Sequence, residues 1–274
     1  MKYYRILIIV LGALITMTAA CAKEGASQSQ VIQAENVNWG YLNPLRGDKS
    51  PAAADLWGDR TKDKATGMLV RFNDGFSSPP HIHNISYRGI VIQGEMHNDD
   101  PHASPMWLPA GSFWTQPAGA SHITAANAPA NMIYLEIDSG PYMVKPVEAE
   151  FDNGQHPINV HASNLVWLDA KASELIEGAG ISIAHLWQKK DRTQGEMIRL
   201  AADTSVALNT DTDTLKLVVI AGRPEYRSAQ EQDGIMLDPG SFVSSQGKVE
   251  HTFTTDSKTI LYVRSQGNIR VKAK

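Results

Sequence analysis

From about residue 36 onward the chain is a succession of short runs in which β-branched, aromatic and aliphatic residues alternate or cluster. Gly, Pro, Asn or Asp closes each run, and the clearest span 67–72, 87–92, 112–116, 132–137, 215–220 and 259–263. Successive side chains of a strand point to opposite faces, so runs of this kind bury one or both faces of a sheet. Short strands at regular spacing predict an all-β sandwich or barrel, and no long helical periodicity competes with that reading.

The pattern repeats. Leu108-Pro109-Ala110-Gly111-Ser112-Phe113 matches Leu237-Asp238-Pro239-Gly240-Ser241-Phe242, and Ile90-Val91-Ile92-Gln93-Gly94 matches Val218-Val219-Ile220-Ala221-Gly222. Leu56-Trp57 and Trp39 find partners in Leu186-Trp187 and Trp167, all in the same order and about 129 residues on. Four matches in register imply duplication. The segment FDNGQHPINV, with turn residues and little periodicity, predicts a boundary near 145–160, giving an N-terminal unit at 36–150 and a C-terminal unit at 151–274.

The N-terminus has a different grammar. Lys2 and Arg5 precede an uncharged run from Ile6 to Ala20 that ends at the only cysteine, Cys21. Such a run is shorter than the roughly 20 residues of a membrane span and reads as a cleavable secretory signal. Thr18-Ala19-Ala20-Cys21 resembles a bacterial lipobox, which implies lipidation at Cys21 and an envelope protein facing the periplasm. Residues 22–35, polar and small, predict a flexible tether. A single cysteine permits no disulfide within the chain, so stability must come from the core. Formal charge moves from −4 to −6 without Lys2 and Arg5, and this mild acidity argues against nucleic acid as the partner.

The candidate chemistry lies in the first repeat. His81 and His83, two apart, project from one face of a strand, and a later strand entered through Pro117 and Gly119 brings His122 within range. The spacing resembles the two motifs of the cupin family. Gly75, His81, His83 and Gly94 fit the first motif, and Gly111, Pro117, Gly119 and His122 fit the second, with Asn127 one place late. The resemblance implies two tandem cupin barrels of the double-stranded jelly-roll type. It also implies a divalent metal, Zn, Fe, Mn or Ni, held by His81, His83 and His122.

Tyr87 stands where the family has a ligand glutamate. Three imidazoles without a carboxylate leave a divalent ion its full +2 charge, which favours an anionic ligand or hydroxide. Tyr87 could ligate as phenolate, hydrogen-bond a metal-bound water, or pack against the wall. In the second repeat Asn209, Asp211 and Leu215 fall near the positions of His81, His83 and Tyr87, and His251 at that of His122, so that unit reads as structural. Phe113, Trp114 and Tyr134 could frame a pocket for a flat substrate or belong to the core. Gln93 and Glu136 are candidates for polar support, His97 and His102 read as solvated loop residues, and His156, His161 and His185 show no ligand spacing. The resemblance implies a metal-dependent, oxygenase-like enzyme acting on a small organic molecule, with Tyr87 moving a proton. The competing expectation is a non-catalytic small-ligand binding or sensing lipoprotein. A homodimer is compatible with either.

Overall fold

A computed structural model describes residues 28–210 and 214–274, so the signal run, Cys21 and Asp211 lie outside the described residues. The architecture is all-β, with short 3-10 turns as its only helical elements among the described residues. The first half builds a seven-stranded sheet in the order Ile158–Val160, Phe113–Gln116, Tyr87–Gln93, Asn131–Ile137, Thr66–Phe72, Ala52–Trp57, Gly40–Tyr41. The second half builds a six-stranded sheet from Gln28–Ile32, Phe242–Gln246, Thr214–Ala221, Thr259–Gln266, Thr193–Leu200 and Ile181–Gln188, in that order. Shifted by about 129 residues, five successive strands of the two orders coincide, Phe113–Gln116 through Ala52–Trp57 with Phe242–Gln246 through Ile181–Gln188.

The repeat extends to individual bonds. The Gly111 amide donates to the Val91 carbonyl at 2.8 Å, and the Gly240 amide to that of Val219 at 2.8 Å. Trp57 Nε1 donates to the Tyr134 hydroxyl at 3.0 Å, as Trp187 Nε1 does to Tyr262 at 3.2 Å. In both places glycine, Gly67 or Gly195, lies under the indole, where a Cβ would collide with the ring.

Opposite each large sheet lies a second layer. In the first half it comprises Ile123–Ala126, Glu95–Asp99 and Leu108–Pro109, with the pair Val144–Lys145 and Ile82–His83 beside it. One core, including Met68, Val70, Val91, Ile133 and Leu135, fills the first half, and another, including Ile198, Leu217, Phe253 and Val263, fills the second. A third joins the backs of the two large sheets through Leu69, Ile90, Phe113 and Tyr134 against Met197, Val218, Phe242 and Tyr262.

Two strands trade places between the halves. Gln28–Ile32 pairs antiparallel with Phe242–Gln246, while Ile158–Val160 pairs with Phe113–Gln116. The exchange is locked alike on both sides: the Ala34 amide donates to Ser241 Oγ and the Ala162 amide to Ser112 Oγ, each at 3.0 Å. The tether expectation therefore fails for residues 28–35, which form a strand and a 3-10 turn. Val31 supplies the apolar contact that the polar composition hid, packing against the second core. A cut at 150/151 likewise leaves Ile158–Val160 apart from the sheet it completes.

Candidate metal centre

His81 and His122 face each other across a two-residue bridge, their amides and carbonyls exchanging hydrogen bonds at 3.0 Å both ways. His83 follows on Ile82–His83, held by its ladder to Val144–Lys145. All three side chains are buried, and one ligand nitrogen from each can be chosen so that all lie within 4.8 Å of one another.

Each imidazole is pinned through Nδ1 to a backbone carbonyl: His81 to Pro79 at 2.9 Å, His83 to Met143 at 3.0 Å, His122 to Ala120 at 3.1 Å. A carbonyl only accepts, so each Nδ1 carries the proton and each Nε2 keeps a lone pair for the interior. Carbonyl partners on the far nitrogen are how metal-ligating histidines are oriented. Burial holds His81 below its ordinary pKa, with the Pro79 bond offsetting part of the effect. His83 is pushed well below the usual range, first by burial and then by His122 and His81, and His122 falls to about 3 by burial and then by His81. At neutral pH the three rings are uncharged, the state a metal requires.

Tyr87, on Tyr87–Gln93, points to the same interior. Its hydroxyl donates to Asn98 Oδ1 at 2.8 Å and lies 3.3 Å from His122 Nε2. Thr124 also donates to Asn98 Oδ1, at 2.8 Å, Asn98 Nδ2 donates to Gln116 at 2.9 Å, and Gln116 donates to the Ala120 carbonyl at 3.0 Å. With its one proton on the nearer acceptor, the Tyr87 oxygen turns a lone pair toward that of His122. Two lone pairs facing one another in a buried site suit a cation between them, and the donor set of this chain thereby fits a divalent metal. Burial raises the Tyr87 pKa, so it stays a phenol in the metal-free fold; the neighbouring Trp114, Asn98 and Thr124 oppose the shift only in part.

Tyr142 was not foreseen. Its ring stacks on that of His83 with centroids 4.4 Å apart, and its hydroxyl lies 3.1 Å from His83 Nε2. It stands 59 residues from His83 in a loop without motif spacing, so only the pairing of Val144–Lys145 brings it there. Asn98 was missed because its stretch read as a polar loop, and Gln116 because it closes a run that read as a strand of the core; the structure puts both on strands with their side chains buried in the site.

His81, His83, Tyr87, Asn98, Thr124 and Tyr142 line a cavity of about 120 Å³. Its walls are mostly apolar, with Val70, Phe72, Phe76, Ile133 and Leu135, and Asn43, Arg46 and Ser50 border it on one side. Trp114 belongs to this wall, whereas Phe113, its neighbour in the strand, faces the other way into the core between the halves, as does Tyr134. Gln93 is exposed, and Glu136 hydrogen-bonds Tyr134, Tyr262 and Arg264 between the halves, so neither supports the site. His97 is buried rather than solvated, covered on the side away from Asn98 with Trp107 against it.

In the second half Leu208, not Asn209, pairs opposite His251, so the repeat register shifts by one residue. His251 is fully buried, with Nδ1 2.9 Å from the Tyr226 hydroxyl and Nε2 2.9 Å from Ser245 Oγ. Both ring nitrogens are satisfied and none is left for a metal. His185, on Ile181–Gln188, lies 2.8 Å from the buried Glu196.

Solved structures similar to this chain include a putative dioxygenase from Nostoc punctiforme, with a TM-score of 0.67 at 15% identity over 88% of this chain and 83% of that one. Salicylate 1,2-dioxygenase from Pseudaminobacter salicylatoxidans gives 0.57 at 12% over 90% and 88%, and protein Ylba from E. coli, of the DUF861 family, gives 0.58 at 13% over 86% and 90%. At such identities the likeness is one of fold, and that fold is the cupin jelly roll. No curated protein matches the sequence. A family model described as Domain of unknown function (DUF4437) matches residues 30–272, nearly the whole chain, and the protein is therefore a cupin-fold member of that family.

Proposed function

We propose that the protein is a metal-dependent, oxygenase-like enzyme acting on a small organic molecule, with His81, His83 and His122 as the metal ligands and Tyr87 as the proton donor. The observation that carries the proposal is the shared tautomer. Three Nδ1–H groups are tied back to carbonyls, and the three buried rings each bring a ligand nitrogen within 4.8 Å of the others. A divalent ion there would polarise a substrate oxygen, and iron or manganese would add redox chemistry with dioxygen.

The protein's own contribution is orientation and exclusion of water. Val70, Phe72, Ile133 and Leu135 give the organic part of a substrate a dry wall, and the Asn98–Gln116–Thr124 network holds the Tyr87 hydroxyl in place. Because burial keeps Tyr87 protonated, it enters the reaction as a phenol, with a proton to offer and no basic oxygen to accept one. The names of two fold neighbours agree with an oxygenase. One feature favours a ligand-binding module instead: Tyr142 stacks over His83 and narrows the cavity, an arrangement suited to retention.

The test is elemental analysis of residues 28–274, purified without added histidines, beside a His81→Ala, His83→Ala double variant. The expected result is about one metal per chain, lost in the variant, and oxygen uptake with a panel of small aromatic and carbonyl compounds. No metal in either protein after reconstitution with Fe, Mn, Ni and Zn would overturn the enzyme reading. The proposal includes lipidation at Cys21 and an envelope location. Palmitate labelling that persists in a Cys21→Ser variant would refute that part.

A further inference from the structure

His83 differs from the other two histidines at its Nε2. Its Nδ1–H is tied to the Met143 carbonyl, so Nε2 can only accept, and the Tyr142 hydroxyl 3.1 Å away donates to it. The Tyr87 hydroxyl beside His122 Nε2 has its proton on Asn98, the nearer acceptor. The contacts of His81 run through Nδ1, to Pro79 and Ser78. One lone pair cannot hold a proton donor and a metal ion at once, so the Tyr142 hydroxyl and an ion compete for the same atom of His83.

The loop that carries Tyr142 is fixed at its backbone. Asn84 Nδ2 donates to the Pro141 carbonyl at 2.9 Å, the Met143 amide donates to Asn84 Oδ1 at 2.9 Å, and the Tyr142 amide donates to the Arg60 carbonyl at 2.8 Å. Asn84 directly follows His83, so histidine and loop share one frame. The Tyr142 side chain is less confined. It is half-buried and lies over the His83 ring with centroids 4.4 Å and planes 26° apart. Turning it outward takes a side-chain rotation and leaves the ladder of Val144–Lys145 with Ile82–His83 intact.

We propose that Tyr142 caps the metal site: its hydroxyl holds His83 Nε2 until a divalent ion takes that lone pair, and the ring then leaves the face of His83. The same ring lines the cavity, so its departure widens the space beside the ion and opens it to a small organic molecule. The inference rests on the reading of the three histidines as metal ligands. It gives that site an order of events, ion first and organic molecule second. Cap and ion are linked reciprocally, and removing the cap strengthens the ion's hold by the factor that the cap had cost it.

The probe is zinc, added to full-length protein freed of metal by a chelator, with affinity read by competition against a chromophoric chelator. Tyr142→Phe keeps the stacked ring and removes only the donor. It is expected to bind zinc about three- to tenfold more tightly, the equivalent of one net hydrogen bond. The His81→Ala, His83→Ala double variant is expected to take up no zinc, which places the counted ion at this site. A second measurement uses the wild-type chain and does not depend on a variant folding. With the Tyr142 and His83 ring protons assigned through bonds, nuclear Overhauser contacts between the two rings are expected in the chelator-treated protein and are expected to vanish at one equivalent of zinc.

Equal or weaker zinc binding by Tyr142→Phe overturns the inference, and weaker binding would make Tyr142 a ligand rather than a cap. Ring contacts that survive saturation with zinc overturn it as well. The two readings fail separately. Zinc held equally by the wild type and Tyr142→Phe, and lost in the double variant, keeps the metal site and removes the cap. No zinc in any of the three proteins removes the metal reading, and the cap with it.

Discussion

At the scale of single residues, the two equivalent histidines of the repeat show how neighbours decide a role. His122 has a carbonyl on one nitrogen and converging lone pairs on the other, whereas His251 is spent between Tyr226 and Ser245. Burial lowers the His251 pKa to about 4, so the folded state keeps it neutral while the unfolded chain takes a proton near 6.5. Its contribution to stability is therefore complete above pH 6.5 and is lost as the pH falls toward 4, about 3 kcal/mol over that window. Denaturant titrations at pH 7 and 4.5 should show this loss, and His251→Gln should reduce it. Tyr87→Phe is expected to retain one metal per chain while turnover drops 10²-fold or more, the loss of a positioned general acid. An unchanged rate would remove Tyr87 from the chemistry.

At the scale of elements, the strand exchange decides which pieces can stand alone. Gln28–Ile32 covers the edge of Phe242–Gln246, and its removal would bare a row of unpaired backbone groups. A chain starting at Gln28 keeps this strand and serves as the reference. A chain starting at Asn36 should unfold several degrees lower and aggregate on concentration, as read by differential scanning fluorimetry and light scattering. Equal behaviour of the two would show that the strand adds nothing. At Tyr87–Gln93, Gly89 leaves room for Trp114 on the interior face. Gly89→Ala is expected to cost about 1–3 kcal/mol through overpacking, measured by chemical denaturation, and to displace the indole from the cavity wall.

The whole molecule is held together by residues unrelated to the metal centre. Tyr134 and Tyr262, equivalent in the repeat, meet with ring centroids 5.4 Å apart where the halves join, and beside them Glu136 pairs with its own repeat equivalent, Arg264. Identical residues at those two positions would place like charges together, whereas Glu136 and Arg264 form an ion pair. Arg88 lies over the Trp187 ring at 3.9 Å and Lys216 over Trp57 at 4.6 Å, the same contact made in both directions. Arg88, Arg264 and Lys189 surround Asp138, and although burial alone would raise that carboxyl, the cations hold it at about 2. Glu136→Ala leaves Arg264 without its closest partner and is expected to cost about 3–5 kcal/mol, measured by thermal unfolding, with metal content unchanged. A shift under about 1 kcal/mol would mean that the apolar surface between the halves suffices.

The sequence by itself determined the all-β class, the duplication and the three histidines, because each is written locally: strand alternation, turn glycines, a recurring Leu-to-Phe segment, a His-x-His pair. The position of Tyr87 in the site was equally legible, since its distance from His83 keeps it on the interior face. What tertiary structure decided depended on residues far apart in the chain. Tyr142 reaches His83 only through a short ladder, Asn98 enters the site from a stretch that read as a polar loop and Gln116 from a strand that read as core, and Gln28–Ile32 is a strand only because the second half offers it an edge. The fates of Trp114 and Glu136 were undecidable from the sequence for a related reason. A strand has two faces, and local pattern tells that a side chain is buried but not whether it borders a cavity or a neighbouring half.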